Sequence, residues 1–309
     1  MSVGCSRVRG MEQNTVEEAG RLTLGTVVDG VDVVGALSPS RAGDFMTCPL
    51  LYRFRTIDKL PEPFDPLAVR GTLVHKVLED LFDLPAERRT PDRAADLLVP
   101  SWKALLEAEP GLAELFADDE GEAITEWLAS CRVALDQYFE LEDPRRLEPA
   151  ERELYVETLL ESKLLLRGFV DRLDIAPDGA MRVVDYKTGR AVPEWFEGKA
   201  LFQMRFYALV LWRTRGVVPK LLQLIYLGNG EVLRYEPDER DLLATERKVE
   251  ALWAAIRLAA ETGDWQPNPG PGCAWCAHQA ICPAFGGTPP PLPQPADVRD
   301  PGLSPEDVD

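Results

Sequence analysis

The stretch from Gly168 to Gly189, GFVDRLDIAPDGAMRVVDYKTG, constrains the fold of this chain more than any other feature. Two runs rich in Val, Leu and Ile flank Pro177, Asp178 and Gly179. A three-residue loop that ends in glycine is typical of a type I turn closed by a left-handed residue. The stretch therefore predicts a β-hairpin, in which closure of the loop sets which residues oppose each other.

This register has a consequence for the charged residues of the hairpin. It places Asp174 opposite Arg182, an ordinary cross-strand pair, and Asp171 directly opposite Asp185. Like charges directly opposite on a sheet repel, with Cβ atoms about 5 Å apart, so we expect a cation between the two aspartates. Period-two alternation then places four apolar residues on the face of these aspartates, namely Leu173, Ile175, Met181 and Val183.

Lys187 follows Asp185 by two residues and shares that face. Two carboxylates and a lysine suit phosphodiester hydrolysis. The carboxylates hold a divalent metal that lowers the pKa of a bound water and neutralises charge on the phosphate, and the lysine orients the water. D-Y-K is a short string, however, and the alternative is a surface hairpin whose charges are solvated or paired with Arg172 and Arg182.

Composition places the chain among ordinary soluble globular proteins. It has 309 residues, of which 45% are hydrophobic and 28% are charged, enough for one large domain or two. No apolar run approaches the ~20 residues of a membrane span, and the N-terminal region lacks a signal-peptide core, so we expect a cytoplasmic protein with no membrane association. The net charge of −18 argues against a protein that coats nucleic acid generally, although basic segments flank the hairpin.

Helix signals precede the hairpin. Ser38 followed by Pro39 predicts a helix start, and Pro66 predicts a second helix that runs to about Phe82 and carries His75. A lone helical histidine is more often a packing residue, or a partner for Glu79, than a metal ligand. Residues 91–140 predict two or three further helices, with an acidic outer face.

Two more elements place polar residues near the hairpin. An alternating pattern over residues 152–158 predicts a strand, in which Glu153 is the best candidate for a third carboxylate; Glu151 and a simple solvated face are the alternatives. A helix predicted over residues 194–215 places Lys199, Gln203 and Tyr207 on one face. The last two side chains suit binding of a phosphate or a base, and the alternative is a boundary stripe.

The rest of the pattern closes the domain. Gly228, Asn229 and Gly230 predict a second hairpin over residues 220–236, and a long amphipathic helix is predicted from Asp238 to about Thr262, ending at Gly263.

Cysteines near the C-terminus indicate a metal or cluster site. Cys273, Cys276 and Cys282 form C-x2-C-x5-C, a spacing that in a reducing compartment favours metal over disulfide. A fourth ligand must come from elsewhere, and the candidates are Cys48, Cys5, Cys131 and His278. Cys48 is the preferred choice because proline follows it, as proline follows Cys282. Four thiolates suit zinc or a 4Fe–4S cluster, and spacing does not separate the two.

Taken together, these motifs resemble the RecB-like branch of the PD-(D/E)xK nucleases, specifically its iron–sulfur exonucleases related to the AddB nuclease domain and the CRISPR-associated RecB-like exonucleases. The matching motifs are G-x-x-x-H at Gly71 to His75, G-x-x-D at Gly168 to Asp171, D-Y-K at residues 185–187, Q-x-x-x-Y at Gln203 and Tyr207, and the isolated Cys48 with the three later cysteines. The resemblance spans about residues 37–286. Each motif is modest alone, and the set in this order is specific.

The resemblance implies an α/β fold, a restriction-endonuclease-like core with a central mixed sheet, a helical insertion and a C-terminal iron–sulfur segment. It implies Mg²⁺ or Mn²⁺ held by His75, Asp171, Asp185 and the carbonyl of Tyr186, with Lys187 and Glu153 in catalysis. Gln203 and Tyr207 would position DNA. A 4Fe–4S cluster on Cys48, Cys273, Cys276 and Cys282 would act as a structural staple.

The expected organisation is an N-terminal segment over 1–36, a nuclease domain over 37–286 with a helical insertion at 85–145 and an iron–sulfur segment at 267–286, and a Pro-rich acidic tail over 287–309. The leading hypothesis is a metal-dependent DNA exonuclease of repair or recombination, with a helicase or repair protein as partner because no phosphate-loop motif is found. The alternative is a non-catalytic or weakly catalytic DNA-end-binding subunit of a larger complex.

Overall fold

The computed structural model describes residues 27–28, 31–117, 121–191 and 197–293. The expectations for the N-terminal segment, for Cys5 and for most of the acidic tail lie outside these ranges, as does the predicted helix start at Glu194. The boundaries expected for the nuclease domain stay a prediction.

The strands form one large sheet and one small ribbon. Their bounds are β1 Val27–Val28, β2 Val31–Asp32, β3 Gly35–Leu37, β4 Glu151–Leu159, β5 Leu164–Ile175, β6 Met181–Lys187, β7 Leu221–Tyr226 and β8 Glu231–Tyr235. β1 pairs with β2, while the six-stranded sheet has the order β3-β5-β6-β7-β8, with β4 also paired to β5. Parallel pairs (β3 with β5, β6 with β7) and antiparallel pairs both occur, so the sheet is mixed, as expected.

β5 divides the sheet because its two edges are used differently. β4 runs antiparallel to it along one edge, from residue 165 to residue 173. On the other edge β3 pairs with residues 164–166 and β6 pairs with residues 172–175. Between these two ladders the described strands make no pair on that edge. β6 therefore separates from β5 after Val184, alongside residues 167–171 of β5. We call the opening between the two strands the fork.

Helices cover both faces of the sheet. Their bounds are α1 Pro39–Thr47, α2 Pro49–Tyr52, α3 Pro66–Leu81, α4 Pro91–Ala108, α5 Glu122–Leu141, α6 Glu197–Arg215 and α7 Glu239–Thr262, with a π-helical turn at Arg53–Ile57 and short 3-10 turns between them. Side-chain caps begin three of them as predicted or nearly so: Ser38 accepts from the amide of Arg41, Asp65 from that of Leu67, and Asp238 from that of Asp241. The left-handed Gly263 (φ 71°) ends α7.

Two hydrophobic cores result, one on each side of the sheet. The first contains α1, α2, α6 and α7 against one face, with Leu173, Met181 and Val183 from the hairpin. The second contains α3, α4 and α5 against the other face, with Val184 and Tyr186 from β6. The helical insertion therefore packs on the sheet both through α3 and directly, because Tyr138 of α5 contacts Tyr186 of β6 edge-on. No helix in the described part of the chain is long and apolar enough to cross a bilayer.

The first hairpin confirms the predicted turn and most of the predicted register. The amide of Ala176 donates to the carbonyl of Ala180, and Gly179 is left-handed with φ 84°. The pairs run from Ile175 with Met181 to Arg172 with Val184. The pair expected next, Asp171 with Asp185, does not form, because the strands separate there. Ile175 also departs from expectation, since it is 41% exposed near the turn.

Candidate metal centre and cysteine cavity

A defect in two neighbouring strands creates the candidate metal centre. Val170 and Leu173 both pack in the first core although they are three residues apart, so the alternation of β5 slips once between them. In β4, Glu153 has φ 43°, and the ladder to β5 omits it while its neighbours Arg152 and Leu154 pair. A non-glycine residue in this region is strained, and such residues are concentrated at functional sites.

The defect lies at one level of three strands. The register of β4 with β5 places Glu153 beside Asp171 on one side. The register of β6 with β5, extended by one residue past the last pair, places Asp185 on the other side. Three carboxylates therefore stand in a row across β4, β5 and β6, at the mouth of the fork. Glu153 is half-buried whereas Glu151 is exposed, which favours Glu153 as the carboxylate of this strand.

His75 approaches the fork from α3. Its Nε2 lies 2.8 Å from the carbonyl oxygen of Tyr186, and its Nδ1 lies 3.6 Å from a carboxylate oxygen of Asp171. A carbonyl only accepts, so Nε2 carries the proton and Nδ1 faces the carboxylates. This is the usual way in which a backbone carbonyl orients a ligating imidazole. Glu79, the alternative partner of His75, pairs with Lys76 at 3.0 Å instead.

The donor set fits one divalent cation. Among the described residues, the only group of three or more His, Cys, Asp or Glu side chains with donor atoms mutually within 4.8 Å is His75, Glu153 and Asp171. These side chains and Tyr186 line a cavity of about 10 Å³, which is close to the space of one water or ion. Carboxylate oxygens with one imidazole nitrogen suit Mn²⁺ and, less closely, Mg²⁺. Asp185 is adjacent to this group and outside it.

Asp185 is instead held by Lys187. The ammonium of Lys187 lies 2.8 Å from the Asp185 carboxylate, which is 2% exposed, and 2.9 Å from Oε1 of Gln203. The amide of Gln203 donates to the hydroxyl of Tyr207 at 3.2 Å. Tyr207 packs on Gly168, where an added Cβ would lie 2.8 Å from its ring. Gly168 therefore permits the approach of α6 that carries Gln203 to the lysine.

Burial and mutual repulsion shift the carboxylate pKa values upward. Burial, followed by the charge of Asp171, raises the pKa of Glu153 to about 7. Burial likewise raises the pKa of Asp185 to about 6, against the opposing effect of Lys187. Raised pKa values of this size show that the positive charges nearby do not fully compensate these carboxylates.

The pKa values of Lys187 and His75 are also raised, by a different balance of effects. Burial lowers the pKa of Lys187, but the charges of Asp185 and Asp171 outweigh it, and the net pKa is raised. Burial acts on His75 in the same way, and its carboxylate neighbours again raise the pKa overall. Lys187 is thus protonated at neutral pH, which suits it to orient and polarise a water and excludes it as a resting general base.

A buried polar network behind the fork fixes Tyr186. Arg172 is 1% exposed; it pairs with Glu142 of α5 at 2.7 Å and donates to the Tyr186 hydroxyl. The main chain of Tyr186 holds both candidate ligands, because its amide donates to Asp171 at 2.7 Å and its carbonyl accepts from His75. The sequence analysis names Arg172 only as an alternative partner of the hairpin carboxylates and does not single out Glu142. Arg172 points to a buried face of the sheet, next to the irregularity in β5 at Asp171. No local pattern in the sequence indicates this direction.

The four predicted cluster ligands line a second cavity. Cys48, Cys273, Cys276 and Cys282 border a volume of about 390 Å³, with Met46, Leu50 and Phe54 among its apolar walls. The amide of Asn268 donates to the sulfur of Cys48, and that of Gly270 to the sulfur of Cys273, each at 3.4 Å. The C-terminal cysteine segment is thereby joined to the end of α1, some 220 residues away in the chain.

The spacing of these sulfurs bears on what they could hold. Tetrahedral zinc with Zn–S bonds of about 2.3 Å requires sulfurs only ~4 Å apart. No three cysteine sulfurs in the described ranges lie mutually within 4.8 Å. The described cysteine sulfurs therefore do not converge as three ligands of one zinc ion would.

The other candidates for the fourth ligand are engaged elsewhere. Cys131 is fully buried in the second core, as its helical pattern predicted. His278 forms an ion pair with Glu62 at 2.6 Å and packs edge-on against Phe54. Cys48 is the candidate that borders the cavity.

Comparisons with known proteins agree with this fold. The Gene 69 protein of Mycobacterium phage D29 is 25% identical over 282 residues, which cover 80% of this chain and 96% of that relative. A crystal structure named "Putative exonuclease", from Eubacterium rectale, shares the fold with a TM-score of 0.55 at 12% identity, covering 95% of this chain and 99% of the other. The sequence profile of the PD-(D/E)XK nuclease superfamily matches residues 36–283, most of the chain. On that match, and with a mixed sheet that brings Asp171, Asp185 and Lys187 to one fork, the chain belongs to the PD-(D/E)XK nuclease superfamily.

Proposed function

We propose that this protein is a metal-dependent DNA exonuclease of the RecB-like branch of its superfamily. Nucleases of the superfamily typically use Mg²⁺ or Mn²⁺, and the family implies DNA as substrate. The observation that carries the proposal is the convergence of His75, Glu153 and Asp171 beside the Asp185–Lys187 pair. The exonuclease mode is supported by the set of sequence motifs and by the name of the E. rectale protein, which has the same fold.

In the hydrolysis, water adds to phosphorus and one P–O bond breaks. Different side chains of the site would take different roles in this reaction. His75, Glu153 and Asp171 would hold the cation, with Asp185 and the carbonyl of Tyr186 beside them. When bound, the cation supplies Lewis-acid stabilisation of the charge that develops on the phosphate.

The lysine and the helix α6 act on the water and on the strand. Lys187 would orient the attacking water with its ammonium, because Asp185 and Gln203 occupy only two of its three donors. Gln203 and Tyr207 would position the DNA strand beside it. Glu153 would contribute to catalysis by holding the cation, because its pKa of about 7 belongs to the metal-free site and a bound cation would lower it.

The cysteine cavity would hold a 4Fe–4S cluster as a structural staple. Support comes from the four cysteines around one cavity and from amide hydrogen bonds to two of the sulfurs, which stabilise thiolate charge. The cluster would join the C-terminal segment 267–286 to α1 and α2.

We further propose that the nuclease domain comprises residues 37–286, that the protein acts in the cytoplasm in DNA repair or recombination, and that a helicase or repair protein assists it. These roles rest on the resemblance to RecB-like nucleases.

The test is cleavage of end-labelled linear DNA by purified protein in Mn²⁺, with closed circular DNA in parallel. We expect progressive shortening of the linear substrate and no nicking of the circle. Asp171→Asn should abolish cleavage, whereas Asp178→Asn, the same isosteric change in the exposed turn of the hairpin, should not. DNA-end binding without cleavage in either metal would favour the non-catalytic alternative, and nicking of the circle would assign an endonuclease.

A further inference from the structure

One exposed cation lies beside the candidate active site without a role in it. Lys199 is on α6, four residues before Gln203 and on the same face, so the two are about 6 Å apart along the helix axis. Gln203 contacts Lys187 of β6 at 2.9 Å. Lys199 is therefore the next polar residue on this face of α6 beyond the one that contacts the catalytic lysine. A step of this length is comparable with the separation of neighbouring phosphates on a nucleic-acid strand.

Lys199 makes no close ion pair with a described residue, and its charge acts on Asp44 only at longer range. Its ammonium donates to the hydroxyl of Thr47 at 2.6 Å, and it makes no ion pair within 4.0 Å in the part of the chain that the structure describes. The nearby carboxylate of Asp44 is occupied by Arg55 at 2.8 Å. Two of the three ammonium donors are therefore available to a ligand.

Thr47 holds this ammonium in place. The Thr47 hydroxyl donates to the carbonyl of Gly43 at 2.6 Å, so its lone pairs face Lys199. The carbonyl of Thr47 in turn accepts from the side chain of Asn268 at 2.9 Å. A long side chain that is already fixed loses less conformational entropy when it binds a ligand.

We propose that Lys199 binds the phosphate next to the scissile one, so that the Lys199–Gln203–Lys187 line follows the DNA backbone. The proposal rests on the proposed nuclease function. An ammonium is a suitable point-charge partner for a phosphate, and a sequence-independent contact of this kind suits an enzyme that moves along a strand. The rival role is counter-charge to the cysteine cavity, because Lys199 also lines that cavity.

The first experiment measures binding of a 12-nucleotide single strand in chelator, where no cleavage occurs, at several salt concentrations. Loss of one phosphate contact lowers the slope of log Kd against log salt by about 0.7, which corresponds to roughly fivefold weaker binding near 0.1 M salt. We expect this change for Lys199→Gln, and recovery in Lys199→Arg. Lys220→Gln is the matched control, because Lys220 is exposed and precedes β7 at the end of the sheet opposite to Lys187.

The second experiment locates the phosphate. Oligonucleotides with a single neutral methylphosphonate on either side of the scissile position are cleaved in Mn²⁺ by wild type and by Lys199→Gln. We expect the wild type to lose several-fold in rate at one of the two positions, and the variant to be insensitive at that position.

The outcomes separate the two proposals. An unchanged salt slope, or equal sensitivity of both proteins to the methylphosphonates, would overturn the phosphate contact. Iron loss in Lys199→Gln with an unchanged slope would assign the counter-charge role and overturn it as well. Absence of cleavage by wild-type protein would refute the nuclease function, while the slope measured in chelator would still decide whether Lys199 contacts a phosphate.

Discussion

The fork and the cysteine cavity are both built from distant residues, yet their own hydrogen bonds hold them to different degrees. At the fork, Asp171, His75 and Lys187 each have a protein partner, and Arg172 anchors the residue between them. At the cavity, four cysteines surround about 390 Å³, and two of their sulfurs accept weak amide hydrogen bonds at 3.4 Å.

The difference shows what each site requires to keep its shape. The sheet and a buried polar network position the fork, so its geometry does not depend on a bound ion. The cysteine segment consists of short 3-10 turns with exposed residues such as Trp275 (84% exposed), and the described residues provide no core of its own. We therefore expect loss of a ligand at the fork to affect chemistry, and loss of a ligand at the cavity to affect folding.

The largest expected effect is on catalysis at the fork. Lys187→Ala should reduce the Mn²⁺-dependent cleavage rate by about 10²–10³-fold, because it removes the charged hydrogen-bond donor that orients water beside Asp185. Thermal unfolding in excess Mn²⁺ should still be cooperative. Lys220→Ala controls for the loss of a lysine elsewhere on the sheet. A rate within tenfold of wild type would remove Lys187 from the mechanism.

The corresponding change at the cavity should affect the fold. Protein purified without oxygen should be brown and contain about four irons per chain, as a 4Fe–4S cluster requires. Cys282→Ser should lose the colour, become protease-sensitive and unfold at a temperature lower by on the order of 10 °C. Cys131→Ala, a core cysteine, should keep its iron.

Two results would contradict this account of the cavity. One is stoichiometric zinc with no iron in the wild-type protein. The other is a Cys282→Ser variant that loses iron and remains as stable as wild type, because the cavity would then not depend on its ligand.

A smaller effect tests the network behind the fork. Tyr186→Phe removes the hydroxyl that Arg172 binds, and the main chain of residue 186 should hold His75 and Asp171 less firmly. We expect about tenfold weaker Mn²⁺ binding, with cleavage largely recovered at saturating Mn²⁺. Tyr155→Phe, which removes a hydroxyl bound to Glu157 on β4, is the control. Equal Mn²⁺ affinity in the two variants would show that the network does not position the ligands.

The smallest effect concerns the metal-free protein and pH. The pKa of Glu153 is raised from 4.5 to about 7, so between these values the folded state binds more protons than the unfolded state. Stability in chelator should therefore fall as pH rises through this window, and the contribution of Glu153 should be lost above it. In wild type the unfolding temperature should fall as pH rises through this window. In Glu153→Gln this fall should be smaller by a few degrees for each pH unit.

Glu151→Gln, the same change at an exposed position of the same strand, should leave the pH dependence as it is in wild type. If both glutamine variants followed the wild-type curve in chelator, the carboxylate of Glu153 would not be in the fork.

Local patterns in the sequence determined the elements and part of the register. The glycine of the Pro177–Gly179 loop and the alternating strands specify the hairpin through Arg172 and Val184, because turn geometry and side-chain parity depend on neighbouring residues. Helix starts at Ser38 and Asp238 followed equally from local capping. The motifs also indicated Gln203 and Tyr207 as residues near the two aspartates, and the contact of Gln203 with Lys187 is seen only in the structure.

Only the tertiary structure decided how these residues meet. The slip at Glu153 and Asp171 lies where β6 leaves β5, so that β5 is paired on its β4 edge alone and the aspartates do not pair as alternation predicted. The burial of Arg172 depends on Glu142, which is 30 residues away, directly after the last residue of α5. The approach of Cys48 to the C-terminal cysteines depends on chain closure over some 220 residues. Such contacts are set by the packing of whole elements, and short-range sequence periodicity carries no information about them.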